Sequence, residues 1–407
     1  MTGVEETRHA THSRFDVLLK GATVIDPSQG LHGELDLAVR GGRIAKIAEG
    51  IPESEASTSF ALRGKIVTPG LIDAHCHPVL GLTDHSVAPS DAGAPTGVLL
   101  VNDAGSAGPA NFPVLFGRFG GGSDTRMTYF LNAAAEGLVR SPEIASDSDV
   151  DLELLRGCVA RYGEVIRGIK IRAMEPLSRI DADLIGMTVA AAADLALPLM
   201  VHIGEFRERR VNDPFDLYSR SVVRNLKEGD ILSHFMTEKP GGMVLPDGTI
   251  YPELLDARER GVILDSSHGW NNFSFKVARV LMKAGVFPDI ITTDLAALGL
   301  PAVQSLPVTM SKFLNLGLPL AEVIAATTLN AAKALRIEND WGSLAVGRRA
   351  DVSVLELVHG AFAFSDGGAG NTLEGDVLLE PVMVLREGRA LPCRSAYHPV
   401  RGVDACG

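Results

Sequence analysis

Eight short apolar runs, separated by helix-like stretches, constrain the fold of this 407-residue chain more than any other feature. In the second half of the chain, successive runs begin about thirty residues apart, the length of one strand and one helix. Residues 181–197, between the fourth and fifth runs, are rich in Ala and Leu and are typical of a helix. The runs cover residues 71–77, 97–103, 127–134, 168–174, 198–204, 231–236, 261–267 and 289–294.

Eight such units predict an α/β fold of the (β/α)8 or TIM barrel type. In these barrels the functional residues lie at the C-terminal ends of the strands. A doubly wound parallel sheet would alternate in the same way, but no G-x-G-x-x-G follows the first strand of this chain. The barrel is therefore the preferred prediction.

The two ends of the chain have a different texture from the middle. Both contain short β-rich runs broken by Gly, and the N-terminal end also contains an Asp-Pro turn. Each end is short for independent stability, so we expect both to build one small β-sandwich domain rather than two modules. The predicted divisions are a mobile tail (1–14), the first part of the β-sandwich (15–67), the barrel (68–342) and the second part of the β-sandwich (343–407).

Composition limits the partners and the compartment. The chain has 50 Asp and Glu against 38 Lys and Arg, a net charge of −12. This acidity disfavours nucleic acids and anionic membranes as partners, since both attract basic surfaces. No apolar run reaches the roughly 18 residues of a membrane-spanning helix, no export signal is recognisable, and four cysteines make no disulfide framework. We expect a soluble, cytoplasmic protein with a small-molecule substrate, and a homo-oligomer is an open possibility.

Polar residues lie near the ends of five of the eight runs. His75 and His77 flank Cys76, and strand alternation places both imidazoles on one side and the thiol on the other. Each polar residue has an ordinary alternative explanation: a core histidine, a salt-bridged lysine or a helix-capping aspartate. Their coincidence at the same barrel face favours a shared metal site. The candidates are His75, His77, Lys170, His202, His234 and Asp294.

Longer phrases surround these residues. They include VTPGLIDAHCHP, NDAGSAGPANF, GIKIR, MVHIGE, LSHFMTEKPGG, DSSHGWNNFSF, ITTDL and ATTLNAAKALRI. With them the chain resembles the amidohydrolase superfamily, and most closely its amidohydrolase/deacetylase metallohydrolases, which are related to dihydroorotases and hydantoinases. DAGSAG-x-x-NF, H-x-x-x-x-KPGG and HG-x-x-x-FSF are the restrictive phrases, and they favour the deacetylase-like subgroup.

The resemblance implies a cofactor of two divalent metal ions. Their imidazole and oxygen ligands suit Zn²⁺, although manganese, cobalt or iron can also occupy such sites. Lys170 would bridge the ions as a carbamate, because burial lowers the pKa of an amine and the neutral form reacts with CO2. By this resemblance, one ion is bound by His75, His77 and Asp294, and the other by His202 and His234.

The implied activity is hydrolysis of an ester or amide bond in a small carboxylate-bearing molecule. N-acyl amino acids and acylated hydroxy acids are the expected substrates, and Asp294 is the expected general acid and base. Arg172 shares a strand face with Lys170 and is predicted to bind the substrate carboxylate, unless it pairs with a carboxylate of the barrel. His268 is predicted to contact substrate. Trp270 and Phe273 would line an apolar pocket or pack their loop.

Three alternatives remain. A cyclic amide hydrolase of the dihydroorotase or hydantoinase type would use the same chemistry. Ser106, in a phrase similar to a nucleophile elbow, could instead serve a serine hydrolase. A non-catalytic binding barrel is disfavoured because all six proposed ligands are present.

Overall fold

Seven parallel strands form the central sheet of the computed structural model, which describes residues 4–8, 13–121, 124–368 and 371–399. Each strand pairs with the next one along the chain. This order is that of a parallel barrel. The strands are β7 (Leu71–Cys76), β8 (Val98–Ala104), β9 (Arg126–Asn132), β10 (Ile166–Arg172), β11 (Leu199–His202), β12 (Ile231–Ser233) and β13 (Ile263–Asp265).

The segment 290–295 occupies the eighth position. Parallel bridges join Ile290 to Asp265 on one side and Leu295 to Cys76 on the other, so the segment connects the last strand to the first. The predicted eighth strand therefore lies where expected, but it forms isolated bridges rather than a regular strand. Asp294 at its end has a φ of 47°, which interrupts extended geometry.

Neighbouring residues on the barrel strands enter different core clusters. Val101, Leu131 and Val201 join the large cluster that includes helix residues, whereas the residues before them, Leu100, Phe130 and Met200, belong to a second cluster. This is the period-2 pattern of strands buried on both faces, and it explains why the runs are almost continuously apolar.

Helices follow most of the barrel strands. The predicted helix over 181–197 is confirmed as α4, whose first turn is capped by the Asp183 carboxylate accepting from the Gly186 N–H. The helices are α1 (Pro89–Ala92), α2 (Phe112–Phe119), α3 (Leu152–Tyr162), α4 (Leu184–Asp194), α5 (Pro214–Asn225), α6 (Pro252–Glu259), α7 (Phe275–Lys283), α8 (Leu300–Val303), α9 (Leu306–Asn315), α10 (Leu320–Thr327) and α11 (Leu329–Ala334).

Both ends of the chain contribute to a second, nine-stranded sheet. Its link between the two ends is the antiparallel pairing of β6 with β14. The strands are β1 (Glu5–Arg8), β2 (Phe15–Asp26), β3 (Leu31–Arg40), β4 (Arg43–Ala48), β5 (Ala56–Ala61), β6 (Ile66–Pro69), β14 (Val352–Ser365), β15 (Thr372–Arg386) and β16 (Arg389–Pro392).

One expectation about the N-terminus needs correction. Glu5–Arg8, predicted to belong to a mobile tail, form β1 and pair antiparallel with β5. The four side chains are exposed, so backbone hydrogen bonds rather than an apolar pattern hold this strand. Residues 1–3 and 9–12 of the predicted tail lie outside the described residues.

The sheet is mixed, and its β-sandwich architecture and the domain boundaries stay predictions. Cys76, Cys158 and Cys393 are free thiols, while Cys406 lies outside the described residues. Within the described parts of the chain, no helix has the length and apolar character needed to cross a bilayer. The cytoplasmic location and the oligomeric state stay predictions.

Candidate metal centre at the barrel mouth

The predicted ligands lie at the C-terminal ends of their strands around one cavity of about 340 Å³. Lys170 is only 2% exposed, which is unusual for a lysine, and the four histidines are buried as well. His234 lies just behind the cavity wall and contacts Asp294. The residues of the set that line the cavity are His75, His77, Lys170, His202 and Asp294.

Each of three histidines is held through its Nδ1 atom. His75 Nδ1 lies 2.8 Å from Asp265 Oδ2, and His234 Nδ1 lies 2.8 Å from the Ser267 carbonyl oxygen. His77 Nδ1 lies 2.8 Å from Ser106 Oγ. Acceptors at Nδ1 fix the tautomer that leaves Nε2 unprotonated, which is the form that binds metal.

The Nε2 atoms of these three histidines converge on the Asp294 carboxylate. The distances are 3.5 Å from His75 and 3.1 Å from His77 to Oδ1, and 3.8 Å from His234 to Oδ2. One ligand atom each from His75, His234 and Asp294 lie within 4.8 Å of one another. This spacing suits a single ion.

His202 has the opposite orientation. Its Nε2 atom lies 3.2 Å from the Gly204 carbonyl oxygen, so Nε2 carries the proton and Nδ1 is the free ligand atom. The His202 and His234 rings stand 4.2 Å apart between centroids. The two imidazoles can therefore share one ion.

Burial sets the charge state of the cluster. It lowers the pKa of His234 to about 3 and that of His202 well below its ordinary value, so both are neutral near pH 7. Burial also lowers the pKa of Lys170 to about 8, against the attraction of Asp294. Asp294, with 16% of its side chain exposed, is the acidic group among them. The result is neutral nitrogen donors around a carboxylate.

Three residues at or just after barrel strand ends have a strained, left-handed backbone conformation. His234, Ser267 and Asp294 have φ values of 67°, 42° and 47°, a region that non-glycine residues rarely occupy. Gly269 approaches Asp294 so closely that a Cβ atom on it would lie 2.5 Å from Oδ2. Such strain persists where surrounding contacts over-determine the backbone, commonly at functional sites.

The two predicted substrate contacts differ. Arg172 lines the cavity, with its Nε 3.3 Å from Glu143 Oε1 and its guanidinium over the Phe206 ring. It therefore both faces the cavity and pairs with a carboxylate, although that carboxylate belongs to a loop rather than a barrel strand. His268 does not line the cavity, which corrects the expectation: Nδ1 faces the Gly269 carbonyl at 2.9 Å and Nε2 faces Lys312 Nζ at 2.8 Å.

Trp270 and Phe273 also differ in their surroundings. Trp270 is 46% exposed and lines the cavity, whereas Phe273 is buried and stacks on His268 at 4.5 Å between ring centroids. Trp270 is thus a pocket residue and Phe273 packs the loop. Cys76 is buried and faces the Asn102 carbonyl, as expected of a packing residue.

Ser106 lacks the geometry of a serine nucleophile. Its Oγ lies between His77 Nδ1 and Asp103 Oδ1, to which it donates at 2.6 Å, and the residue is fully buried. In a catalytic triad the carboxylate would contact the histidine rather than the serine. Ser106 instead holds a predicted metal ligand in place.

Sequence reasoning missed several residues of the site. Asp265 was recognisable as a carboxylate at the end of an apolar run, but its role as the partner of His75 needs the fold. Asn272 is 3% exposed and lines the cavity, and its Oδ1 has no hydrogen-bond partner among the described residues. His85 and Asn132 also line the cavity, from the loop after β7 and the end of β9. The sequence pattern gave no indication that Asn272, His85 or Asn132 would face the cavity.

Comparison with known proteins agrees with this geometry. The amidohydrolase family model matches residues 180–388. A deacetylase of Agrobacterium fabrum is 33% identical over 391 residues, covering 94% of this chain and 92% of the relative. A deacetylase of Brucella anthropi is 35% identical over 327 residues, covering 78% of each chain.

Solved structures also resemble this chain over most of its length. A dihydroorotase structure is 31% identical with a TM-score of 0.82 and covers 94% of this chain and 99% of its own. An adenine deaminase structure, 24% identical with a TM-score of 0.80, covers 93% and 100%, and it shows the likeness of fold. The barrel and its imidazole–carboxylate cluster, with these relatives, define a hydrolase. The chain belongs to the amidohydrolase family.

The residues present fit the divalent metal that this family implies. Three Nε2 atoms and one Nδ1 atom are free of protons, each with its other ring nitrogen held by an oxygen acceptor. The partly buried Asp294 carboxylate stands among them. This donor set of neutral imidazoles and carboxylate oxygen is the one that zinc and similar ions prefer.

Proposed function

We propose that this protein is a dinuclear metal-dependent hydrolase that cleaves an ester or amide bond, in the manner of a deacetylase. Its substrate is a small carboxylate-bearing molecule, such as an N-acyl amino acid or an acylated hydroxy acid. The convergence of three Nε2 atoms on Asp294 in a cavity that also exposes Arg172 carries the proposal. The two deacetylases that match most of the chain support the acyl bond.

Two ions, with zinc as the proposed metal, would divide the ligands as the family resemblance implies. Lys170 Nζ lies 3.1 Å from His75 Nε2 among the ligands of both ions. An ammonium group at this place would repel cations. A carbamate, formed when the neutral amine attacks CO2 and releases a proton, supplies anionic oxygen instead. His75, His77 and Asp294 would hold one ion, His202 and His234 the other, and Lys170 both.

The chain's own residues supply the remaining chemistry. A divalent ion in this site lowers the pKa of a bound water and polarises a carbonyl oxygen. Asp294, with 16% of its side chain exposed toward the cavity, accepts the proton of the attacking water and returns it to the leaving nitrogen or oxygen.

Arg172 binds the substrate carboxylate in this proposal. Glu143 holds the guanidinium in the wall, and an Arg–carboxylate pair supplies directional recognition. This proposal gives His268 no substrate contact, because both of its ring nitrogens contact protein groups, Gly269 and Lys312.

A panel of substrates tests the proposal on metal-loaded enzyme. N-acetyl amino acids and O-acetyl hydroxy acids should be hydrolysed, and the same acyl groups on amines without a carboxylate should be poor substrates. Arg172→Met should remove this preference. Hydrolysis of no acyl substrate would contradict the proposal.

A cyclic amide hydrolase is the second candidate, supported by the dihydroorotase structure that matches nearly the whole chain. Dihydroorotate and hydantoins therefore belong in the same panel. Ring opening without acyl hydrolysis would favour this candidate and leave the metal site unchanged.

A further inference from the structure

Lys312 is a buried charged residue that the proposed chemistry does not use. It lies on α9 with no exposed surface; within the described chain no carboxylate lies at ion-pair distance from it, and the Asp366 carboxylate attracts it only from farther away. Its Nζ instead contacts His268 Nε2 at 2.8 Å and the Ala302 carbonyl oxygen at 2.7 Å. Because His268 Nδ1 donates to a carbonyl, Nε2 accepts from the lysine.

These two contacts belong to different walls of the catalytic cavity. His268 precedes the wall residues Trp270, Asn271 and Asn272 in the loop after β13. Ala302, in α8, follows the second wall, which contains Ala296, Leu298 and Gly299. The two walls also pack together, since a Cβ atom on Gly299 would lie 3.4 Å from the Trp270 nitrogen.

The His268 backbone extends this connection to Asp294. The His268 and Gly269 N–H groups donate to the Thr292 and Thr293 carbonyls at 3.2 and 2.8 Å, directly before Asp294. Gly269 then contacts the Asp294 carboxylate closely. A shift of His268 therefore moves both the wall and the neighbour of the catalytic carboxylate.

We propose that Lys312 is a positioning residue, which ties the two walls of the cavity together through His268 and the Ala302 carbonyl. This role rests on the proposed hydrolase function. A buried amine costs desolvation energy that a methionine of similar length would avoid. Stability alone therefore does not explain a lysine here, whereas its two directed hydrogen bonds join two loops that share no strand.

Fluorescence can test this brace, the link that Lys312 forms between the two walls, without any substrate. The chain has two tryptophans, Trp270 and Trp341, so a Trp341→Phe background leaves Trp270 as the reporter on the braced loop. In that background, Lys312→Met should increase acrylamide quenching of Trp270. Thr309→Val is the matched control: it removes a buried hydrogen bond of the same helix, Oγ1 to the Ser305 carbonyl, that touches neither wall. It should leave quenching unchanged.

Kinetics give the second measurement. Lys312→Met should lower kcat/KM roughly tenfold or more, because small misplacements of the site reduce rates by up to about 100-fold. Bound metal per chain should not change, since Lys312 contacts none of the ligands. His268→Phe removes the same bond from the loop side and replaces Lys312→Met if that variant does not fold. The double variant should lose no more than Lys312→Met alone, since that variant already removes the bond that His268→Phe removes.

The outcomes separate this proposal from the proposed function. If the parent hydrolyses nothing in the panel, the function fails, yet the quenching comparison still decides whether the brace exists. Parental quenching and kcat/KM in Lys312→Met would overturn the brace. Equal changes in Lys312→Met and Thr309→Val, or additive losses in the double variant, would also overturn it.

Discussion

The proposed metal ligands and the cavity walls are held in different ways. The ligands lie at strand ends, and residues of other barrel positions fix them: Asp265 on β13 holds His75 on β7 across the closure of the ring. The walls lie on loops, and Lys312 ties them from behind on α9. Barrel geometry therefore determines where the chemistry occurs, while contacts between loops determine which molecule fits. The following variants test this division, from the largest expected effect to the smallest.

Asp294→Asn should lower kcat by roughly 10²- to 10⁴-fold on metal-loaded enzyme, the usual contribution of a general acid–base residue. The amide cannot accept the proton that Asp294 accepts. Steady-state kinetics measure the effect, and Asp340→Asn, at an exposed position, serves as the control. A kcat within a few-fold of the parent would remove Asp294 from the chemistry.

Alanine substitution of two aromatic residues in one loop should affect different properties, stability in one case and substrate binding in the other. Phe273→Ala should lower the free energy of unfolding by about 3–5 kcal/mol, because it empties a buried stack. Trp270→Ala should leave that free energy within about 0.5 kcal/mol. It should instead raise KM roughly tenfold, about 1.4 kcal/mol of binding. Urea unfolding and steady-state kinetics on both variants measure these effects. If both variants changed the same property, the different placement of the two side chains would be contradicted.

Asp265→Asn should weaken metal binding roughly 10- to 100-fold, the usual effect of losing a carboxylate behind a histidine ligand. Competition with a chelator measures the affinity. Ser106→Ala, which removes the hydroxyl behind His77, should have a smaller effect because no charge is lost. Unchanged affinity in both variants would mean that these partners do not orient the ligands.

The last prediction concerns pH-dependent stability, with an effect of at most about 1.4 kcal/mol for each pH unit. Burial lowers the folded-state pKa of His234 to about 3 from 6.5, so the unfolded chain binds more protons between these values. Its contribution to stability is therefore present above pH 6.5 and is lost as pH falls, by about 1.4 kcal/mol per unit. Urea unfolding of metal-stripped protein at pH 4–6 should show a shallower slope in His234→Gln than in the parent. The exposed His359→Gln variant should keep the parental slope.

The sequence could bring the candidate residues to one barrel mouth because strands have a fixed period and a known end. His75 and His77 share a face for that reason, and the apolar runs locate Lys170 and Asp294 without any contact information. The direction of a loop side chain has no such rule. His268 was expected in the cavity and instead faces Lys312, because the path of its loop depends on long-range contacts with α8 and α9. The polar strand Glu5–Arg8 was missed for a related reason, since only backbone pairing with β5 specifies it.

Metal content per chain tests the central claim most directly. Elemental analysis would compare the parent, expressed with added zinc and bicarbonate, with Lys170→Ala. The account predicts about two ions per chain in the parent, as its ligand set implies, and a sharp fall in the variant. About one ion in both would contradict the lysine bridge and leave a mononuclear site at His75, His77 and Asp294. No bound metal in the parent would contradict the metal-dependent hydrolase itself.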